Sequence, residues 1–472
     1  MANDLDLIRV FNALMRDDLS SFIQRVFATV DPGSTYHHNW HIDAIAHQLE
    51  RVERGEITRL IITMPPRSLK SIAASVAFPA WLLGRDPQKR ILAVSYAEGL
   101  SDKLALDCLK VLDAPWYKSC FPATRIARSR TARSDFETSR GGGRFSTSVG
   151  GTITGRGGDI ILIDDPHKPE DMGSEAKRTT VLDWYRSTLL SRLNDPKNGP
   201  IVLIQQRVHE ADLAGMLLEQ GGWEHLDLQA IAEDPVEIAL TQGRCIQREL
   251  GDLLHAERLP RDLLDRRRDE LGSYVFAAQY QQRPAPLGGG LVKWDWFKTY
   301  DTPPDRVPGD QIVQSWDTAS KAAEANDYSV CTTWQVRGND AWLLHVYRAK
   351  LEFPALRRRI EEDGRRVRAN LILIEEAGSG IHLIQDLKQN TGLKVKGIIP
   401  KDDKATRLLA VTPMIEGGRI AIPQDAPWLA DFRRELLLFP NGKHDDQVDS
   451  LSQFLNWHDR PKHKSGYVRF KL

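Results

Sequence analysis

The chain has 472 residues, 41% of them hydrophobic and 27% charged, which is the balance of an ordinary soluble globular protein with length for two or three domains. Lysine plus arginine number 64 and so do aspartate plus glutamate. That excludes a tight static grip on nucleic acid through overall positive charge, and leaves open local basic surfaces and salt-sensitive contacts. No apolar run approaches the roughly 18 residues of a membrane span, and Met1–Asp6 lacks a signal-peptide pattern. Cys108, Cys120, Cys245 and Cys331 are scattered without a C-x-x-C pair, which argues against a zinc site or disulfide framework and for a reducing compartment.

Leu7, Ile8, Phe11, Leu14 and Met15 recur at helical spacing and predict helix over about the first 55 residues, broken at Pro32-Gly33-Ser34. The cluster from Tyr36 to His41 reads as a packed helix start, or as a base-stacking surface formed by Tyr36, Trp40 or His41. The apolar run Leu60–Ile62 then leads into Met64-Pro65-Pro66-Arg67-Ser68-Leu69-Lys70-Ser71 and a helix from Ile72. Strand, tight loop, Lys-Ser and helix are the layout of a phosphate-binding loop, with Lys70 toward the β/γ-phosphates and the Ser71 hydroxyl on Mg²⁺. The match to G-x-x-x-x-G-K-[ST] is imperfect, because Met64 and Leu69 stand where the glycines should be. Pro65 and Pro66 have no N–H, so the cradle rests on the amides from Arg67 to Ser71.

Further along, helix Ile72–Leu83, strand Arg90–Tyr96 and helix Glu98–Leu112 alternate, which indicates a parallel sheet covered on both faces. Thr124–Arg133 carries Arg125, Arg128, Arg130 and Arg133, either a solvated loop or a DNA-facing surface. Gly-rich residues around Arg156 lead to Ile160-Ile161-Leu162-Ile163-Asp164-Asp165, an apolar strand with carboxylates at its C-terminal tip, where open α/β sheets bind ligands. Asp164 is expected to hold the Mg²⁺ and Asp165 to orient or deprotonate the attacking water. Strand Pro200–Ile204 ends in Gln205-Gln206-Arg207, where Gln206 and Arg207 sense the γ-phosphate or simply cap the sheet. Helix Glu210–Gln220 follows. Residues 231–285 read as charged helices, and Pro284-Ala285-Pro286-Leu287-Gly288-Gly289-Gly290 marks a domain boundary.

Beyond it, strand Ile312–Asp317, a meander over Tyr328–Val336 and Ala341–Lys350, helix Ala355–Arg368 and strand Leu371–Ile374 ending in Glu375-Glu376 follow in turn. A helix from Ile381, strand Lys394–Ile399 and further helices complete the order β-β-β-α-β-α-β-α, which fits an RNase H-like domain. In such a sheet the first and fourth strands are neighbours and the last helix crosses them. That gathers Asp317, Glu375 and the His444-Asp445-Asp446-Gln447-Val448-Asp449 acids in one cleft. Carboxylates so gathered need divalent cations, and Mg²⁺ or Mn²⁺ suits an all-oxygen set, two ions about 4 Å apart serving phosphodiester hydrolysis. Asp445, Asp446 and Asp449 share a helix face at i, i+3 or i, i+4, so spacing alone does not choose among them. Helix N-capping accounts for one of them at most. Asp327 reads as an ordinary turn residue, with a supporting place beside the cluster as the alternative.

Taken together, the chain resembles the large terminase subunit of tailed bacteriophages and prophages from about Trp40 to the helix after His444. Met64–Ser71 is similar to that family's variant phosphate loop, Thr152–Gly157 with Ile163–Pro166 to its Walker B region, and Gln206–Gly215 to its coupling segment. Ile374–Gly380 and His444–Asp449 resemble its nuclease motifs. The family pattern, with the second acid five residues before a glycine, selects Glu375 over Glu376. The resemblance implies an N-terminal P-loop ATPase domain followed by an RNase H-like nuclease domain, that is, ATP-driven translocation of double-stranded DNA into procapsids and cutting of concatemers. It implies a division into residues 1–230 (ATPase), 231–290 (helical subdomain and linker), 291–460 (nuclease) and 461–472 (basic tail). It also implies Arg67 acting on transferred charge and Arg156 as an arginine finger toward a neighbouring subunit, with a loop or DNA contact as the alternative for Arg156. The implied cofactors are ATP, Mg²⁺, and Mg²⁺ or Mn²⁺ for cutting. The partners are DNA, the small terminase subunit, the portal protein and further copies in a ring, in the host cytoplasm and transiently at the portal, with no membrane. A helicase-like remodeller and a motor with a non-cleaving DNA clamp are the competing readings.

Overall fold

Leu60 and Ile62 point to one side of the strand that precedes the loop and Ile61 to the other, and all three are buried. Such strands read as continuous apolar runs because a parallel sheet is covered on both faces. The structure, a computed structural model, describes residues 2–131, 134–153, 155–171, 173–284, 290–318, 328–440, 442 and 444–460, excepting the side chains of 2–5 and 128–131. Asp327, the side chains of Arg128, Arg130 and Arg133, the run 285–289 and the tail 461–472 lie outside the described residues. The chain divides into two compact units, Met1–Ala285 and Pro286–Leu472.

The first unit holds strands β1 (Arg59–Thr63), β2 (Arg90–Ser95), β3 (Ile126–Thr131), β4 (Asp135–Thr138) and β5 (Gly143–Ser148). β6 (Ile160–Asp164), β7 (Ile201–Gln205) and β8 (Glu224–Asp227) complete its main sheet. Among the described residues that sheet has the order β3-β4-β5-β2-β6-β7-β1-β8, parallel from β5 to β8 and antiparallel at the β3-β4-β5 end. One face buries Leu60, Leu162 and Val202 against the N-terminal helices and the segment after the loop. The other buries Ile61, Ile163 and Leu203 under Tyr185, Leu189 and Leu217. The helix after the loop opens as a π-helical stretch, Ile72–Ala77, where Phe78 N–H reaches Ala73 O, and continues as α-helix Phe78–Arg85.

Two expectations are corrected here. Ile126–Thr131 of the arginine-rich segment is an edge strand, not a solvated loop. Residues 231–285 are not all helix: β9 (Val236–Ala239) and β10 (Cys245–Arg248) form an antiparallel hairpin ahead of one helix, Arg261–Gln279. Charged residues on an exposed hairpin give no apolar period, which hides it from a pattern reading.

The second unit is built on β11 (Lys298–Tyr300), β12 (Gln311–Asp317), β13 (Ser329–Arg337), β14 (Asp340–Ala349), β15 (Leu371–Glu375), β16 (Val395–Ile398) and β17 (Ile420–Pro423). Their order is β11-β17-β14-β13-β12-β15-β16; β12, β13 and β14 meander antiparallel, and β12 lies parallel to β15. One face buries Trp316, Ile372 and Ile374 with Ile360 and Leu383. On the other, helix Asp446–His458 crosses the sheet, stacking Phe454 on Trp334 at 4.3 Å and exchanging hydrogen bonds between Ser450 and Ser315. The architecture is therefore a P-loop-type parallel α/β domain followed by an RNase H-like domain. Among the described residues no helix is long and apolar enough to cross a membrane.

Candidate active sites

Lys70 and Ser71 close the loop at the C-terminal edge of the first sheet and meet the two aspartates that end β6. Lys70 Nζ lies 2.8 Å from Asp165 Oδ2, and Ser71 Oγ donates to Asp164 Oδ1 at 3.1 Å. Asp164 is 1% exposed. Burial first, then the neighbouring Asp165, pushes its carboxyl up to about 6, with Lys70, Ser75 and Ser71 pulling the other way. Its Oδ2 is buried with no hydrogen-bond partner among the described residues. An acceptor left bare beside a phosphate loop fits a divalent cation, since an unpaired buried oxygen is costly otherwise.

The glycine missing at Leu69 has a backbone counterpart. Arg67 and Leu69 adopt left-handed φ of 62° and 64°, and Asp165 one of 44°. Leu69 thus takes the backbone conformation that a glycine would adopt freely, at a cost of about 1–3 kcal/mol for such residues, and packs its side chain against the core. His41 braces the turn. Asn39 Nδ2 donates to Leu254 O at 2.7 Å and to His41 Nδ1 at 2.5 Å, so the His41 Nε2–H faces Ser68 O at 3.3 Å. Burial drives its pKa down to about 3.

The loop opens on a cleft of ≈ 960 Å³ whose wall includes Arg67, Lys70, Ser71, Asp165 and Gln206, with Pro66, Ser68 and Leu69 from the same turn. Its apolar wall comes from Phe27, Val30 and Leu100. Trp40 takes no part there: it packs edge-on to His41 with the Arg248 guanidinium 5.4 Å above its ring. Base stacking by Trp40 is corrected accordingly. Arg207 is also elsewhere. Its Nε donates to both oxygens of the fully buried Asp212 at 3.0 Å, and its Nη2 to the carbonyls of His209 and Glu210. A guanidinium so committed caps the turn rather than sensing phosphate. Gln206 does touch the site, through its N–H to Asp165 Oδ1 at 2.9 Å. Arg156 sits at the opposite, N-terminal edge of the sheet, paired with Asp135 at 2.6 Å over the Phe145 ring, on a separate cavity of ≈ 250 Å³.

In the second unit Asp317 ends β12 and Glu375 ends the adjacent β15. Asp317 is pushed well above the carboxylate range by burial, then by Asp449, Glu375 and Asp446. These acids therefore share one field, as the topology required. Glu376 turns away over Gly397, where a Cβ would meet its Oε2 at 2.3 Å. The glycine five residues after Glu375 also has a cause: a Cβ on Gly380 would lie 2.2 Å from Glu375 O.

Sequence reasoning missed the cations between them. Lys404 Nζ lies 2.7 Å from Asp445 and 2.6 Å from Asp449, and Arg407 reaches Asp449 at 2.9 Å and Glu375 at 3.4 Å. Burial works against the Lys404 charge, yet Asp449 and Asp445 outweigh it and hold its pKa above the usual lysine value. Asp449 is still raised, to about 6, chiefly by burial. Asp446 is raised by burial and Glu435 and faces Arg348 at 3.7 Å. Asp445 makes no side-chain cap bond to the helix it precedes, so capping does not account for it. Among the described residues, no three His, Cys, Asp or Glu side chains are set to hold a metal ion. The oxygen donors suit Mg²⁺ or Mn²⁺, and basic side chains stand between them. Lys404 and Arg407 share a helix face at i, i+3, the one signal that would have found them.

Fold and strand-end acids define an RNase H-like domain behind a P-loop-type one. Residues 314–457 match the family model described as Terminase RNaseH-like domain, so the second unit carries a terminase RNase H-like domain, and over that stretch the resemblance to large terminases holds. The large terminase from the thermophilic bacteriophage D6E in complex with ADP is similar over 87% of this chain and 98% of its own, at 11% identity and a TM-score of 0.47. Its complex with ATP-gamma-S covers 87% and 98% at 12% identity and 0.49. The large terminase nuclease from thermophilic phage G20c with bound magnesium covers 36% of this chain and 98% of its own, at 16% identity and 0.29. No curated protein matches the chain.

Proposed function

We propose that the chain is a packaging terminase large subunit: an ATPase that drives double-stranded viral DNA into procapsids, with a metal-dependent endonuclease that cuts concatemers when packaging starts and ends. What carries the reading is one chain in which Lys70 and Ser71 meet Asp165 and Asp164 and, further on, Asp317, Glu375 and Asp449 share one field. ATP phosphates rest on the amides from Arg67 to Ser71, and Lys70 leaves Asp165 for the β/γ-phosphates. Asp165, so released, accepts a proton from the attacking water as the γ-phosphoryl passes to it, and Arg67 offsets charge on the transferred group. Ser71 and Asp164 would hold Mg²⁺, which would supply neutralisation of the phosphate charge. Arg156 serves a neighbouring copy only if its pair with Asp135 opens.

In the second unit Asp317 and Glu375, with Asp445, Asp446 or Asp449, would hold Mg²⁺ or Mn²⁺, which would supply water activation and charge stabilisation for phosphodiester hydrolysis. DNA, a small terminase subunit, a portal and further copies in a ring are the partners, and the bacterial cytoplasm is the place of action. The position of Lys404 and Arg407 between the acids favours one second reading, a DNA clamp that does not cut. Linear and circular DNA incubated with and without ATP and Mn²⁺ decides. Nicking by wild type but not by Asp317→Ala supports the nuclease, and no cleavage by wild type leaves the clamp. ATP hydrolysis unchanged in Lys70→Ala would sink the ATPase assignment.

A further inference from the structure

Three consecutive side chains just before the first unit ends, Gln281, Gln282 and Arg283, clasp its core at three points. Gln281 pairs with the Ile231 backbone, accepting its N–H at 3.0 Å and donating to its carbonyl at 2.9 Å. Arg283 donates to Asp227 Oδ2, and Asp227 Oδ1 accepts from Thr63 Oγ1 at 2.9 Å. Thr63 is the last residue of β1, directly before the phosphate loop. Between these, Gln282 Oε1 accepts the Arg207 N–H at 2.9 Å and its Nε2 donates to Gln279 O at 2.5 Å. Gln282 is 1% exposed and has a left-handed φ of 56°.

The residue before Arg207 is Gln206, whose N–H is on Asp165 Oδ1, while Asp165 Oδ2 holds Lys70. A continuous path therefore runs Lys70, Asp165, Gln206-Arg207, Gln282, each link being one ion pair, one hydrogen bond or one peptide. Resting on the ATP reading above, we propose that Gln282 is a positioning residue that carries the state of the Lys70–Asp165 pair to the chain leaving the first unit.

The physics makes this link two-state rather than elastic. Gln282 and Arg283 are adjacent, yet one is tied to the end of β7 through Arg207 and the other to the end of β1 through Asp227 and Thr63. Any displacement of one strand end against the other falls on the backbone between them. A left-handed non-glycine residue persists only where its surroundings hold it. If the Arg207 bond opens, a buried amide oxygen loses its partner, so Gln282 favours leaving that conformation altogether. When phosphate draws Lys70 away, the Asp165 carboxylate loses a cation on one oxygen while keeping the Gln206 N–H on the other, and the strain passes along the path.

The test is hydrogen–deuterium exchange of the full-length chain, read on the peptide spanning Phe276 to Arg283, with and without ATPγS·Mg²⁺, alongside the ATPγS affinity of each protein. In wild type, nucleotide should change exchange there by about threefold or more. Gln282→Ala should bind ATPγS within about twofold of wild type and lose that response. Gln282→Glu, which keeps an acceptor for Arg207, should restore it; Gln282→Gly, which relieves the backbone but offers no acceptor, should not. If the alanine variant fails to fold, Gln282→Asn, one methylene short of Arg207, replaces it with the same expectation. A response in Gln282→Ala equal to wild type, or none in wild type with ATPγS bound, overturns the proposal alone. No ATPγS binding by wild type overturns the ATP reading and this proposal with it.

Discussion

At the tip of β6 two adjacent aspartates meet one lysine and one serine, whereas at the tips of β12 and β15 the acids are interleaved with Lys404, Arg407 and, beside Asp446, Arg348. Both sites gather negative charge at strand ends in buried ground, and both raise a carboxyl to about 6. They differ in how the arrangement is held. The first is set by the backbone: left-handed Arg67, Leu69 and Asp165, with His41 against the turn. The second is set by charge balance among side chains on a short helix, Lys404–Leu409, and its neighbours. A site of backbone strain has its shape before its ligand arrives; a site of balanced charge should exchange one set of cations for another.

The largest effects are on activity. Lys70→Ala should lower ATP hydrolysis by about 100-fold or more, since it removes charge stabilisation at the phosphates, while Mn²⁺-dependent cleavage stays near wild type. Asp317→Asn should do the reverse, abolishing cleavage while phosphate-release assays show ATPase within about twofold. It should also raise the melting temperature, because it removes one of several mutually repelling buried acids. Arg207→Ala comes next: it leaves the fully buried Asp212 carboxylate without its cation, a loss of about 3–5 kcal/mol in urea unfolding. A phosphate sensor would instead keep its stability and lose turnover.

Smaller is Lys404→Ala, about 1–2 kcal/mol because the lysine is partly exposed while Asp449 is not. Added Mg²⁺ should recover more stability in this variant than in wild type, which calorimetry can follow; no such difference would deny the charge-exchange picture. Smallest is a pH effect. His41 is held neutral by burial, with a folded pKa near 3 against about 6.5 unfolded. Its contribution is present above the unfolded value and lost as pH falls through that window, with a slope of at most about 1.4 kcal/mol per pH unit. His41→Gln should flatten the fall in melting temperature between about pH 6.5 and 4.

Both sheets were legible where strands are buried on two faces, because Leu60–Ile62, Ile160–Ile163 and Leu371–Ile374 are unbroken apolar runs ending in polar or acidic residues. β8, β9 and β10 were not, because their sequences Glu-His-Leu-Asp, Val-Glu-Ile-Ala and Cys-Ile-Gln-Arg lie at an edge or in an exposed hairpin and need no apolar run. The acids of both sites could be read because strand ends concentrate ligand chemistry. Their cations could not, since Lys404 and Arg407 follow Asp445 and Asp449 only in space. Arg207 misled for a related reason: it stands at a strand tip, but Asp212 five residues on takes its guanidinium.

The π-helical stretch at Ile72–Ala77 has a bearing on that first site. Such a turn is an α-helix carrying one residue too many. Just before and within it Ser71 and Ser75 are turned toward Asp164; after it Phe78, Trp81 and Leu83 are turned into the core. An uninterrupted α-helix would set these two groups out of phase by about 100°. The wide turn is thus a phase correction that lets a single helix keep its hydroxyls toward Asp164 and its apolar stripe inward.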